Sequence, residues 1–224
     1  MPDNLRVFIG SDPRQPIGYS VLQHSISTRS SQPVSITRLQ LDQLPLTRKG
    51  LTEFTYSRFL VPWLCDYKGL ALFLDADMLC LDDIADLFAL KDESPLQVVK
   101  NSEKFEWSSL MLFDCSQCWK LTPEGVSYAD NLFKMDTWAD IGDLPEEWNH
   151  CVGYDPPGPA KLVHYTQGIP VWPETQDCEY AEEWHTERRS MMYTCSFNEL
   201  MGNSVHIPKM RANEKHSGDE LHLG

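Results

Sequence analysis

No run of about 18 apolar residues occurs in the chain, so no segment is expected to cross a bilayer as a helix. It also opens without a charged-then-apolar leader, and the expectation is a cytoplasmic protein with no integral membrane segment. Bases are scarce: 19 lysines and arginines face 33 aspartates and glutamates in 224 residues, a net charge of −14. A field of that sign repels phosphate backbones and anionic lipid, so nucleic acid is not an expected partner. An anionic ligand needs a local cation to hold it on such a protein. Internal repeats and low-complexity tracts are absent, which excludes a solenoid or an array. The seven cysteines are odd in number and scattered through apolar runs, and they read as reduced core thiols. Cys115 and Cys118 form a C-x-x-C, but no second pair at metal-ligand spacing accompanies them, so packing is expected there and not zinc.

What is present suits a globular chain. Hydrophobic residues make up 42% and aromatics 11%, enough for a substantial core, and the length suits one domain. That domain is expected over 1–208, with a polar tail over 209–224. Leu5–Ile9 reads as a buried strand stopped by Gly10-Ser11-Asp12-Pro13, and Ile17–Arg29 as a helix with one apolar face. Strands are expected at Val34–Leu41, Leu70–Leu74, Leu96–Val99, Leu110–Phe113 and Ala160–Tyr165. Helices are expected at Phe54–Tyr67 around Pro62, from Asp82 or Asp83 to Phe88, from Thr122 to Phe133 and at Glu179–Arg189. Strands alternating with helices imply an α/β protein whose central sheet is mostly parallel and flanked by helices.

The strand Leu70–Leu74 runs straight into Asp75-Ala76-Asp77. Ligands of open α/β sheets bind beyond the carboxyl ends of strands, so these carboxylates stand where chemistry is usually done. Residues i and i+2 of extended chain point the same way, so Asp75 and Asp77 can share one cation, and hard oxygen ligands suit Mg²⁺ or Mn²⁺. The plainer alternative is a solvated turn at a strand end.

Further blocks surround this motif: Tyr56-Ser-Arg58-Phe-Leu-Val-Pro62-Trp-Leu, Lys68-Gly-Leu-Ala-Leu-Phe-Leu-Asp75-Ala-Asp77, Ile84-Ala-Asp86-Leu-Phe88, Leu144-Pro-Glu-Glu-Trp148-Asn149 and Val163-His164-Tyr-Thr-Gln-Gly168-Ile-Pro170-Val-Trp172. In this order they resemble the GT-A glycosyltransferases of the family that includes glycogenin and the bacterial lipopolysaccharide galactosyltransferases, over roughly residues 5–172. The resemblance implies a single GT-A domain, a Rossmann-like nucleotide-binding fold. It further implies a UDP-sugar donor, a carbohydrate or glycoconjugate acceptor, transfer of a hexose with retention, and Mn²⁺ with Mg²⁺ as a substitute. It places the cation on Asp75, Asp77 and His164. Mixed imidazole and carboxylate ligands suit Mn²⁺, and His164 also ends an apolar strand. The donor is implied to lie against Ile9, Gly10, Asp12, Arg58, Asp75, Ala76, Asp77, Gln167 and Gly168, with Asp12 toward the uracil or ribose. Arg58 either neutralises the diphosphate or locks Asp75 in place, both bidentate tasks for a guanidinium.

Departures from the family pattern are informative. Phe105-Glu106-Trp107-Ser108-Ser109-Leu110 replaces the family's Phe-Asn-Ser-Gly-Val, so the identity of the hexose does not carry over. The family's lysine after the late glycine is missing, since Ile169 follows Gly168, and Gln167 with the Gly168 N–H are expected to substitute. The acidic residue near the reacting sugar falls in Met135–Asp140, leaving Asp136 and Asp140 as catalytic candidates beside Asp75 and Asp77. Trp107, Trp138, Trp148 and Trp172 suit either sugar stacking or core packing. The remaining histidines (His24, His150, His185, His206, His216 and His222) are expected at the surface or in caps. Two other readings stand beside the transferase: a catalytically inactive nucleotide-sugar-binding module, and an Asp-x-Asp phosphatase with a phosphorylated aspartate. The phosphatase class sets its motif near the N-terminus, whereas this chain spends some seventy residues on β-α-β first.

Overall fold

Val7 and Ile9 face one layer of the core while Phe8 faces the other, and Leu72 and Leu74 alternate with Ala71 and Phe73 in the same way. Such two-faced apolar strands are what a sheet covered on both sides requires. A computed structural model describes residues 4–101, 104–137 and 139–193, and the described residues up to Met191 form one compact unit. The expected domain end at 208, the tail 209–224, His206, His216, His222, Cys195 and Trp138 lie outside the described residues.

The elements, in chain order, are β1 (Leu5–Gly10), α1 (Pro16–Arg29), β2 (Val34–Leu39), α2 (Val61–Leu64), β3 (Leu70–Leu74), β4 (Met78–Cys80), α3 (Ile84–Ala89), β5 (Leu96–Val99), β6 (Leu110–Asp114), α4 (Pro123–Tyr128), β7 (Ile141–Leu144), β8 (His150–Cys151), β9 (Leu162–His164) and α5 (Ala181–Met191). Six strands form the main sheet in the order β2-β1-β3-β6-β5-β7. β1 pairs parallel with β2 and β3, and β5 parallel with β7; β6 is antiparallel to both of its neighbours. The mostly parallel sheet is thus as the alternation of elements implied. A second sheet, β4-β9-β8, carries the site: β4 runs antiparallel to β9 with Met78 opposite His164, and β8 parallel to β9 with Cys151 opposite His164.

Local chemistry explains the helix starts. Asp83 accepts from the Ala85 N–H at 2.9 Å to cap α3, and Thr122 accepts from the Gly125 N–H at 3.0 Å ahead of Pro123 in α4. Two expected helices differ, and three strands were not expected. The single helix expected over Phe54–Tyr67 is a 3-10 turn, Ser57–Leu60, followed by the short α2, because Pro62 has no N–H to give and crowds the carbonyl four residues back. α4 ends at Tyr128 and not Phe133: Arg48 donates to the Ala129 carbonyl at 2.6 Å, satisfying a group the helix would otherwise leave open. β4, β7 and β8 were not foreseen, being too short for their alternation to show. His150 was expected at the surface but is buried on β8, its Nε2 3.0 Å from Glu179 Oε2.

Helix α1 meets the Asp75–Asp77 turn at Gly18. A Cβ there would stand 2.8 Å from the Ala76 carbonyl oxygen, too close without displacing backbone. Gly18→Ala should therefore cost about 1–3 kcal/mol, the usual penalty for overpacking. It should also move the two carboxylates, which a drop in both melting temperature and Mn²⁺ affinity would register. An unchanged affinity would show that the turn does not depend on this contact.

Candidate active site

The turn after β3 is anchored by the Asp75 N–H, which donates to the Ser109 carbonyl at 2.9 Å. Two residues later the Asp77 carbonyl accepts from the Tyr165 N–H, also at 2.9 Å, and this tie brings the end of β9 alongside. Asp75, Asp77 and His164 thus meet, with one ligand atom from each lying within 4.8 Å of the others. Asp75 and His164 are buried and Asp77 is partly exposed at the rim. Asp77 Oδ1 lies 3.5 Å from His164 Nε2.

Electrostatics make this an unusual place for carboxylates. Burial drives Asp75 from 3.8 up to about 7, against the pull of Arg58, with the nearby charges of Asp77 and Glu106 adding to the rise. Burial lowers His164, but its close contacts with Asp77 and Cys151 and the charges of Asp77 and Glu106 outweigh that and hold it well above the usual histidine range. Three acids therefore compete for the positive charge of Arg58 and His164. Asp75 Oδ1 and Asp77 Oδ1 are buried without a hydrogen bond, although Arg58 Nη2 stands 3.1 Å from Asp75 Oδ1. That contact is ionic but poorly aligned, so both oxygens still have a lone pair to give. Orphaned, buried carboxylate oxygens beside an imidazole are a donor set that fits a divalent cation.

Arg58 is buried, and its other donors are taken by the protein. Its Nε donates to the Phe54 carbonyl at 3.2 Å, and its Nη1 to the Ser108 carbonyl at 2.6 Å and to Ser108 Oγ at 3.1 Å. Of its two expected roles, the geometry is that of a clamp on Asp75.

A cavity of about 340 Å³ opens beside the carboxylates, lined among others by Asp12, Arg14, Ala76, Asp77, Gln167 and Gly168. Trp172 also lines it and is half exposed, whereas Trp148 is buried in the core and Trp107 bonds the Asn101 carbonyl. Two larger cavities, of about 780 and 590 Å³, lie at the proline-rich 155–161 segment and beside Arg6; neither contains the carboxylates. Of the expected donor residues, Ile9 is core, packed with Leu22 and Ile26, and Gly10 lies against Phe54. Asp12 reaches the cavity, but its carboxylate is gripped by Arg14: Nε to Oδ1 at 2.9 Å and Nη2 to Oδ2 at 2.5 Å, which holds the acid below its usual range. Gly168 adopts φ +113°, a left-handed conformation that favours glycine. Its N–H is spent on the Tyr165 carbonyl at 2.8 Å, so it cannot stand in for the missing lysine.

Asp136 and Asp140 are both exposed and precede β7. β7 begins level with Leu96, which pairs with Phe113, itself opposite Ala71 near the start of β3. Asp140 therefore sits at the opposite edge of the sheet from Asp75. Neither acid belongs to the group formed by Asp75, Asp77 and His164. In their place stands Glu106, buried, with Oε2 3.5 Å from His164 Nδ1. Glu106, Asn149 and Arg14 were missed as site residues. Glu106 lies in the block that departs from the family pattern, and Asn149 in a block that carries the resemblance, and those were the available signals.

The architecture is the GT-A fold of glycosyltransferases, by likeness to several solved structures. The bifunctional glycosyltransferase WbbM superimposes with a TM-score of 0.61 at 14% identity, covering 84% of this chain and 50% of its own. The glycosyltransferase GlyE of Streptococcus pneumoniae TIGR4 does so with 0.61 at 16%, covering 83% and 60%. This chain thus spans half to three-fifths of their lengths. The galactosyltransferase LgtC is covered over 99% of its chain and 87% of this one, with a TM-score of 0.59 at 13% identity. In sequence, the chain is 36% identical over 222 residues to Protein CDI of Arabidopsis thaliana, an alignment covering 81% of this chain and 85% of that protein, and it belongs to that protein's family. No profile of a described protein family matches it. No helix among the described residues is long and apolar enough to cross a membrane.

Proposed function

We propose that this chain is a cation-dependent glycosyltransferase that moves a hexose from a UDP-sugar to a carbohydrate or glycoconjugate acceptor, with retention at the anomeric carbon. The observation that carries this reading is the convergence of Asp75, Asp77 and His164, with two unsatisfied carboxylate oxygens, at a cavity beyond the carboxyl ends of β1 and β3 in a GT-A fold. These three residues would hold Mn²⁺ or Mg²⁺. The cation supplies Lewis-acid stabilisation of the departing diphosphate.

The chain's own residues do the rest. Arg58 fixes Asp75 so that its carboxylate need not reorganise on loading. Asp77, at the rim, faces the cavity where the donor lies. Gln167 lines that cavity and is the side chain to meet the donor's phosphates where the lysine is missing, while Arg14 in the same wall is paired with Asp12. Retention on one face lets the leaving phosphate accept the acceptor's proton, so no side-chain base is required.

The test is a release assay over several nucleotide-sugars with Mn²⁺, Mg²⁺ or EDTA, with calorimetry of UDP, ADP and GDP. UDP should appear with Mn²⁺ and fall to background in EDTA, and UDP should bind best of the three. Release of inorganic phosphate would support the phosphatase reading. UDP binding without turnover on any donor would support the inactive module.

A further inference from the structure

His164 presents two ring nitrogens to two different surroundings. Nε2 faces Asp77 Oδ1 at 3.5 Å, and Asp77 lines the cavity. Nδ1 faces Asn149 Oδ1 at 3.2 Å and Glu106 Oε2 at 3.5 Å, with Cys151 Sγ at 3.9 Å. Which end of the Asn149 amide meets the ring is decided by its remaining partners, because oxygen and nitrogen of an amide are assigned from their network. Asn149 is fully buried, and its Nδ2 lies 3.0 Å from Ser109 Oγ, 3.3 Å from Asn101 Oδ1 and 3.4 Å from the Glu106 carbonyl. The Asn101 amide is fixed in turn, since its Nδ2 donates to the Asn149 carbonyl at 2.9 Å. Were Asn149 turned over, its oxygen would face the two acceptor oxygens of Asn101 and Glu106 deep in the protein, an arrangement that strands all three.

The Asn149 oxygen therefore points at His164, next to a second acceptor, the Glu106 carboxylate. A ring nitrogen aimed at two oxygen acceptors carries the hydrogen, and in neutral imidazole the lone pair is then on the other nitrogen. We infer that Asn149, backed by Glu106, is a positioning residue that keeps His164 in the Nδ1–H tautomer and so presents Nε2 as the cation ligand. This rests on the reading of Asp75, Asp77 and His164 as a cation site. Ligating histidines are commonly held by such a partner, and its loss weakens metal binding about 10–100-fold. The β8–β9 pairing explains how Asn149 comes to stand there: Cys151 lies opposite His164, and Asn149 is the residue just before β8.

The experiment measures Mn²⁺ affinity by electron paramagnetic resonance on the whole protein, in a cycle of Asn149→Leu, His164→Ala and the double variant. Asn149→Leu should raise the Mn²⁺ Kd about 10–100-fold in the native background. In the His164→Ala background it should change Kd by less than about twofold, because its effect passes through the imidazole. Equal losses in both backgrounds would overturn the inference. A second measurement needs no variant, and decides the matter if Asn149→Leu does not fold: ¹⁵N-histidine spectra of the wild-type protein at saturating Mg²⁺. The His164 hydrogen should be found on Nδ1, and finding it on Nε2 would overturn the assignment. Absence of Mn²⁺ binding by wild-type protein would instead remove the cation-site reading on which the inference stands.

Discussion

Asp75→Asn should reduce Mn²⁺-dependent UDP release on the order of 10²–10³-fold, the loss that follows removal of one preorganised electrostatic contact at a reacting centre. The same substitution should change the pH dependence of stability in the cation-free protein. Asp75 has a folded value of about 7 against 3.8 for the free carboxyl. A folded value raised above the unfolded one means that stability from this group is fully present below the unfolded value and is lost as pH climbs to the folded one. Between pH 5 and 7 the loss amounts to about 2–3 kcal/mol, at 1.36 kcal/mol per unit. His164, also raised in the fold, loses stability in the same direction above its ordinary value. Carboxyls held low, such as Asp12, Asp83, Asp114 and Glu187, titrate below this window and contribute no slope within it. The cation-free wild type should therefore melt lower at pH 8 than at pH 5, and Asp75→Asn should flatten that trend. Adding Mn²⁺ should reverse it, since ligation needs the deprotonated ligands. Thermal melts across pH with and without Mn²⁺ check this; a cation-free melting temperature that rises from pH 5 to 8 would contradict the burial argument.

Arg58→Met should destabilise the protein by about 3–5 kcal/mol, the range for removing one partner of a buried ion pair. The substitution leaves Asp75 without its counter-charge and opens the Phe54 and Ser108 carbonyls that the guanidinium satisfies. Arg58→Lys should recover little of this, because an ammonium cannot reach three directions from one planar fork. Combining Arg58→Met with Asp75→Asn should be less harmful than the sum of the two, as expected for groups in contact. Denaturant titrations of the four proteins supply the cycle. Strict additivity, or a stable Arg58→Met that has lost only UDP affinity, would return Arg58 to the role of a donor contact.

Much of this molecule is legible in its residues because the signals are local. An unbroken apolar strand followed by Asp75-Ala76-Asp77 states both its burial and its chemistry, since an all-apolar run needs cover on two faces and carboxylates at its end need a cation or a proton. Asp83 and Thr122 announce their helices through short-range capping bonds. The excess of acids over bases sets an expectation against phosphate backbones as partners from charge alone. The blocks around Trp148 and His164 declare a fold class through their order, although no single block does so.

Other features depend on partners far away in the chain, and only tertiary packing supplies those. His164 meets Asp77 because β9 lies beside β4, a pairing of distant segments that no local pattern announces. Asp140 looks like a site acid in the sequence, yet the direction of β7 places it at the far edge of the sheet. Glu106 looks like a departure from pattern, yet the fold sets it against the imidazole. The resemblance sets Asp12 toward the donor's uracil or ribose, yet Arg14 closes on it. The amino-acid sequence by itself determined the α/β class of fold, the acidic character and the Asp75–Asp77 pair, because apolar periodicity, capping and charge act within a few residues, while His164 was implied as the third ligand by the resemblance of its block to a known family. Which side chains surround those ligands, which nitrogen of His164 meets Asp77 and which meets Glu106 were decided by strand register and direction, which arise only when distant segments pair.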